Sequence, residues 1–326
     1  MRIMHHIHQI ITPTPFPTGP VNCYVIKDDP ITLIDSGLKM DEALEGLRAG
    51  LAEIGLQFSD IRRLLITHSH LDHYGLMATV AAEGSPRVFA HPLEVHDLEN
   101  PEGYAGDDHY SRRTEQFLLE MGLPLECLDS ILMRHPVFQQ MRDPITVTDT
   151  VGDGDRITFE HRQLLVIHCP GHSPGMINFY DASEQILLSG DNLLKHISPV
   201  PLIYLPRDAS EPRTNSLAAY IDSITRLKTF DIASVLPGHG EIINNCNTII
   251  DSIIEHHRLR KERVFEFLNG SPKTAYDVCC HLFPEISQVQ IYLGMSEAVG
   301  HLDLLKAEGA VETEINDGKY YYHRVF

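Results

Sequence analysis

The chain has 326 residues and a mass of 36.7 kDa, enough for two domains or one large domain with an appendage. Its 26 basic and 45 acidic residues give a formal charge of -19, which argues against non-specific affinity for nucleic acid or anionic membrane. Six scattered cysteines give no sign of a disulfide framework or a Cys-rich zinc knuckle; with no leader pattern and no spanning apolar run, a cytoplasmic protein is expected.

His5, His6 and His8 fall on a first strand and read as an accidental surface patch. Two β-rich runs, 21–27 and 31–35, flank the turn residues Asp28, Asp29 and Pro30 and predict a hairpin. Met40, Leu44, Leu47 and Leu51 have helical spacing, ending near Gly55. A buried-type strand at 62–67 precedes a helix over Asp72–Ala82, and 87–90 returns to strand. Residues 93–150 read as a mainly helical insertion, a lid or pocket wall. Strands follow at 155–159, 163–169, 176–181 and 185–191. After a proline-rich loop (199–212) come a helix at 214–228 and a strand within 232–241. Such alternation builds a sheet-based domain with helices outside.

Residues 246–326 change character. A long helix leads to 271–284, where Ser271-Pro272 reads as an N-cap with proline at the first helical position. Another helix spans 290–307, and Asn316-Asp317-Gly318 turns a hairpin. Helices followed by a two-stranded wing make a winged-helix-like pattern. Residues 258–326 carry eight Lys/Arg against ten Asp/Glu, so no basic footprint accompanies it, and packing is the expected role.

Twenty histidines raise the question of clustering. His68, His70, Asp72 and His73 place four potential ligands in six residues, just after a predicted strand. Imidazole and carboxylate in this mixture suit Zn²⁺ or another borderline divalent ion. His172, Asp191 and His239 each sit where a strand emerges into a loop. Seven ligands exceed the needs of one tetrahedral zinc and argue for two metals, with Asp191 able to offer one carboxylate oxygen to each.

The set His68-x-His70-x-Asp72-His73, His172, Asp191 and His239 resembles the metallo-β-lactamase superfamily, in the hydrolase branch that includes glyoxalase II and lactonases. Residues 33–37 match as well, and the resemblance covers about 1–245. It implies an α+β fold, a four-layer αβ/βα sandwich with metals at the sheet edges. It also implies that His68, His70 and His172 hold one metal, that Asp72, His73 and His239 hold the other, that Asp191 bridges, and that Asp35 lies beneath them. The tail, 246–326, resembles the winged-helix-like extension of the β-lactamase-like protein 2 branch. Asp191 stands where zinc β-lactamases of the main class carry cysteine, and His70 where flavodiiron relatives carry glutamate. Antibiotic hydrolysis and redox chemistry are thereby disfavoured.

Two close divalent ions, zinc by expectation with iron or manganese as alternatives, would lower the pKa of water between them. The expected reaction is hydrolysis of an ester, thioester or lactone of a small metabolite. Phosphodiester or RNA hydrolysis is the alternative, followed by a mononuclear-iron persulfide dioxygenase and a non-catalytic binding protein. Asp72 and His196 are the candidate catalytic residues. Tyr104, His109, Tyr110, Arg112, Arg113, Tyr204 and Arg207 are candidates for substrate contact. Neither nucleic acid nor membrane is expected as a partner, and a homodimer is possible on general grounds.

Overall fold

Short β-rich runs separated by turns assemble into two sheets in the computed structural model, which describes residues 6–100, 108–130 and 140–325. The first sheet holds β1 (Ile7–Thr12), β2 (Val21–Ile26), β3 (Thr32–Ile34), β4 (Arg63–Leu65), β5 (Arg87–Ala90) and β6 (Asp149–Thr150), side by side in that order. The β1–β2 and β2–β3 pairs are antiparallel and the remainder parallel. The second holds β7 (Arg156–Thr158), β8 (Gln163–His168), β9 (Ile177–Asp181), β10 (Ile186–Gly190) and β11 (Ser234–Pro237), in the order β11-β10-β9-β8-β7. Only β10 and β11 pair in parallel.

Strand alternation decides which face each residue covers. Leu33 and Leu64 pack against Ala43, Leu47 and Leu51 of α1 (Asp41–Glu53). Their neighbours Ile34 and Leu65 point the other way, into a core with Val166, Phe179, Leu188 and Leu236 between the sheets. Leu187 and Val235 face outward onto Leu217, Tyr220 and Ile224 of α6 (Ser216–Leu227) and Ile250 of α7 (Cys246–Phe267). Three apolar seams therefore separate four layers, the αβ/βα sandwich. A fully buried leucine such as Leu47 contributes about 1.5–3 kcal/mol by leaving water.

Between these layers lie α2 (Leu71–Tyr74), α3 (Met77–Gly84), α4 (Pro92–Glu99) and α5 (Asp108–Glu120). The single helix expected over 72–82 is two. The Leu76 N–H turns aside to the Gly37 carbonyl and the Ser36 hydroxyl, so the helical ladder stops there. The chain ends with α8 (Ala275–Leu282), α9 (Ile291–Ala307) and a hairpin of β12 (Val311–Asn316) and β13 (Lys319–Arg324). Asp317 at φ 48° and Gly318 at φ 73° are both left-handed, the geometry a tight two-residue hairpin turn requires. The cap of α8 is Thr274 rather than Ser271. Its hydroxyl accepts from the Asp277 N–H at 3.1 Å while the Asp277 carboxylate accepts from the Thr274 N–H at 2.8 Å, a reciprocal box that fixes the first turn.

The insertion does not stand apart from this C-terminal module. Leu118, Met121 and Leu123 share one apolar core with Val264, Val278, Met295 and Val299, and with Leu202 and Ile203 of the intervening loop. No described helix is long and apolar enough to cross a membrane.

Candidate metal centre

The buried strand β4 delivers His68, His70, Asp72 and His73 to one rim of the first sheet, the last two on α2. From the second sheet, the loops after β8, β10 and β11 deliver His172, Asp191 and His239. The seven side chains meet. One ligand atom from each of His68, His70 and His172 falls within 4.8 Å of the others, and so do those of His68, His73 and Asp191, and of Asp72, His73 and His239. Asp191 faces both groups: Oδ1 is 3.3 Å from His73 Nε2, and Oδ2 is 3.6 Å from His239 Nε2 and 3.7 Å from His172 Nε2. His239 Nε2 also lies 3.4 Å from Asp72 Oδ2. Gly238 keeps the space clear, because a Cβ there would fall 2.5 Å from Asp191 Oδ1 and 2.7 Å from the His73 ring.

The donor set fits a metal pair. Nε2 of His68, His73, His172 and His239 and Oδ1 of Asp191 are buried without a hydrogen-bond partner, an arrangement that is costly unless something else satisfies them. The opposite nitrogen of each ring is held. His172 Nδ1 donates to the Val200 carbonyl at 2.9 Å and His239 Nδ1 to that of Pro20 at 3.0 Å. His73 Nδ1 meets Asp35 Oδ2 at 2.8 Å. Thr67 Oγ1 gives its one proton to Asp35 at 2.8 Å, so it accepts from His68 Nδ1 at 3.0 Å. A hydrogen bond at Nδ1 leaves the lone pair on Nε2, the form a cation binds. His70 is different: its Nε2 lies 2.9 Å from the Tyr204 hydroxyl, which leaves Nδ1 for a ligand.

Two buried carboxylates brace this set. Asp35 also accepts from the Thr67 N–H at 3.0 Å, and its backbone adopts φ 55°, in the left-handed region that a non-glycine residue enters at a cost. Glu94 on α4 joins the two ligand-bearing loops. It accepts from the Ser69 N–H at 2.9 Å and from the Ser69 hydroxyl, and from the Ser173 hydroxyl at 2.7 Å and the Gly175 N–H at 2.6 Å. Burial pushes the Glu94 carboxyl upward. Sequence reasoning missed Glu94, since a glutamate in a short helix with weakly segregated apolar residues carries no sign that it faces inward.

Charge divides the site. Burial, reinforced by neighbouring histidines, drives His68 well down, His70 to about 3 and His172 down, keeping those rings neutral. Burial acts on His73 and His239 in the same sense, but Asp191 and Asp72 outweigh it and raise both. Asp191 and Asp72 are lowered in turn, against burial, by His73 and His239. His70 and Asp72 are half-buried while His68 and His73 are fully enclosed, so the open side lies along His70 and Asp72.

The remaining candidates scatter. His196 is exposed, near Glu241, and belongs to none of the clusters. Arg207 pairs with Asp97 and lies 4.9 Å over the Tyr110 ring, while Arg113 donates to the carbonyls of Pro206 at 2.9 Å and Arg207 at 3.2 Å. These contacts fasten the insertion to the 204–207 loop. His109 and Arg112 are exposed on α5, and Tyr104 lies outside the described residues. Of the substrate candidates, Tyr204 alone is shown bonded to a clustered histidine.

Comparison with known proteins agrees with this geometry. Residues 16–239 match the family described as "Metallo-beta-lactamase superfamily", and residues 262–325 match "Metallo-beta-lactamase-like, C-terminal domain". The chain is 32% identical over 320 residues to "Probable metallo-hydrolase YqjP" of Bacillus subtilis, covering 96% of each. It is 23% identical over 154 residues to "Beta-lactamase-like protein 2 homolog" of Caenorhabditis elegans, covering 46% of this chain and 48% of that one. The crystal structure of the metallo-beta-lactamase family protein TTHA1429 from Thermus thermophilus superposes with a TM-score of 0.84 at 28% identity, covering 99% of this chain and 100% of that chain. Both the sandwich and its appended module are thus shared, and the chain belongs to the metallo-beta-lactamase superfamily of metal-dependent hydrolases.

Proposed function

We propose that this enzyme hydrolyses an ester, thioester or lactone bond of a small metabolite, using two zinc ions. His68, His70 and His172 would hold one ion and Asp72, His73 and His239 the other, with Asp191 able to serve both. The observation that carries the reading is the set of bare, buried Nε2 atoms turned toward one carboxylate. When bound, the ions bring water toward neutral pKa and polarise a carbonyl oxygen. The chain's own groups then orient and exclude. Asp72, half-buried on the open side, is placed to accept a proton from the attacking water. With His70 Nε2 donating to Tyr204, the phenol proton is free to turn to the substrate, and burial, with Glu94 next, holds that phenol protonated. Asp35 and Glu94 hold the ligand loops in register.

Several features support the finer reading. The matched C-terminal domain and the beta-lactamase-like protein 2 homolog favour that branch, with a catalytic unit of 1–245 and a winged-helix-like unit of 246–326. The formal charge of -19 favours a small substrate over RNA. Six free thiols, five of them buried, fit a reducing cytoplasm. Metal analysis of purified protein, followed by p-nitrophenyl esters, acyl thioesters, lactones and bis-p-nitrophenyl phosphate, tests the reading. Turnover of a carboxylic ester class that Asp191→Ala reduces to background is expected. Turnover of the phosphodiester alone, or activity untouched by Asp191→Ala, overturns it.

A further inference from the structure

A second group of buried histidines lies where the C-terminal module meets the catalytic loops, and nothing in the reaction uses it. His257 comes from α7; Glu297 and His301 come from α9, one helical turn apart. Their exposures are 1%, 3% and 0%. One potential ligand atom from each lies within 4.8 Å of the other two. His257 Nδ1 and His301 Nε2 are buried and make no well-formed hydrogen bond, although the His257 backbone stands near the His301 ring. The opposite nitrogens are engaged: His257 Nε2 meets the Ser198 hydroxyl at 3.0 Å, and His301 Nδ1 donates to the Glu297 carbonyl at 2.8 Å. This repeats the pattern of the catalytic histidines, one nitrogen anchored and the other bare.

We propose that His257, Glu297 and His301 form a third divalent-cation site, separate from the catalytic pair and suited to zinc. Two imidazoles and a carboxylate are borderline donors of the kind zinc takes, with a fourth position left for water. Burial holds His257 down to about 4 and lowers His301 too, so both rings are neutral, the form that binds a cation. Arg260 donates to Glu297 Oε2 at 2.8 Å, and no hydrogen bond reaches the other carboxylate oxygen among the described residues. Glu297 also lines a cavity of about 560 Å³, with Ile197, Ser198, Val200 and Arg260, so open space reaches one of the three ligands.

The site's position gives it a use. Ser198, bonded to His257, stands two residues before Val200, whose carbonyl anchors His172. A cation here would fix the helix pair and, through that short segment, the orientation of a catalytic ligand. The role is positional, since the site touches no reacting atom.

The test is a metal count on the full chain. Protein stripped with chelator, reloaded with Zn²⁺ and freed of excess is expected to hold three ions per chain in wild type. His301→Ala and Glu297→Gln should each hold two. Two ions in the wild type overturn the site, because a buried water then satisfies the same nitrogens. Three ions in wild type and both variants also overturn it, placing the extra ion elsewhere, for example on the N-terminal histidines. If His301→Ala fails to fold, Glu297→Gln, which keeps the side-chain shape, carries the same count. Asp191→Ala separates this question from the catalytic one: it should lose catalytic ions and retain the ion that His301→Ala removes.

Discussion

At the sheet edges, seven candidate ligands follow β4, β8, β10 and β11, five on loops and two on α2, and two further carboxylates brace them from behind. At the seam with the C-terminal module, three arrive on the faces of two packed helices, braced by a serine and an arginine. Both groups bury imidazole nitrogens without partners. They differ in charge. At the first, Asp72 and Asp191 raise His73 and His239 while burial lowers His68, His70 and His172; at the second, burial prevails and both rings are lowered. Paired carboxylates suit two cations close together; a single shared carboxylate suits one. Number of carboxylates, rather than number of histidines, sets what each cluster can hold.

Acid should give the largest effect at the second cluster, read through His257. In chelator-treated protein, His257 titrates near 6.5 when unfolded and near 4 when folded. Its folded value is depressed, so the stability it contributes is present above pH 6.5 and disappears as pH falls toward 4, a loss of up to about 3 kcal/mol. Urea unfolding at pH 7 and pH 4.5 should show a smaller acid loss in His257→Gln than in wild type. An equal loss in both would break the comparison.

Asp35→Asn removes the carboxylate shared by His73 and Thr67, and metal affinity at the catalytic pair should fall about 10–100-fold. Competition with a chromophoric chelator measures it, and the ion lost with His301→Ala should be unaffected. Glu94→Gln leaves one amide oxygen for four donors and should destabilise the fold by about 1–3 kcal/mol, read from the urea midpoint at constant slope. Tyr204→Phe is the smallest change. It should lower kcat about tenfold, the equivalent of one hydrogen bond of about 1.4 kcal/mol, with the metal count unchanged. A fall in metal count instead would make Tyr204 a support for His70 and not a substrate contact.

Much of the first cluster was legible because His68, His70, Asp72 and His73 are neighbours in sequence and follow a strand. His172, Asp191 and His239 were legible for a related reason, each lying in a turn just past an apolar run. Glu94 was not, because its partners are 25 and 79 residues away and it falls in a stretch read as an insertion. Arg113 and Arg207, candidates for substrate contact by residue type, fasten the insertion to a loop, and local sequence holds nothing that distinguishes the two uses.

The sequence alone determined most of the strands, their apolar faces, and the residue types that make a metal centre; the four-layer stacking came from the family resemblance. The first three depend on periodicity and on the chemistry of single side chains, which are local properties. Tertiary structure decided the rest: that Asp191 faces both ligand groups, that Tyr204 reaches His70, that the insertion shares its core with the C-terminal module, and that His257 meets His301. Each of these depends on the relative placement of elements far apart in the chain. Packing between layers sets that placement, and no short window of sequence contains it.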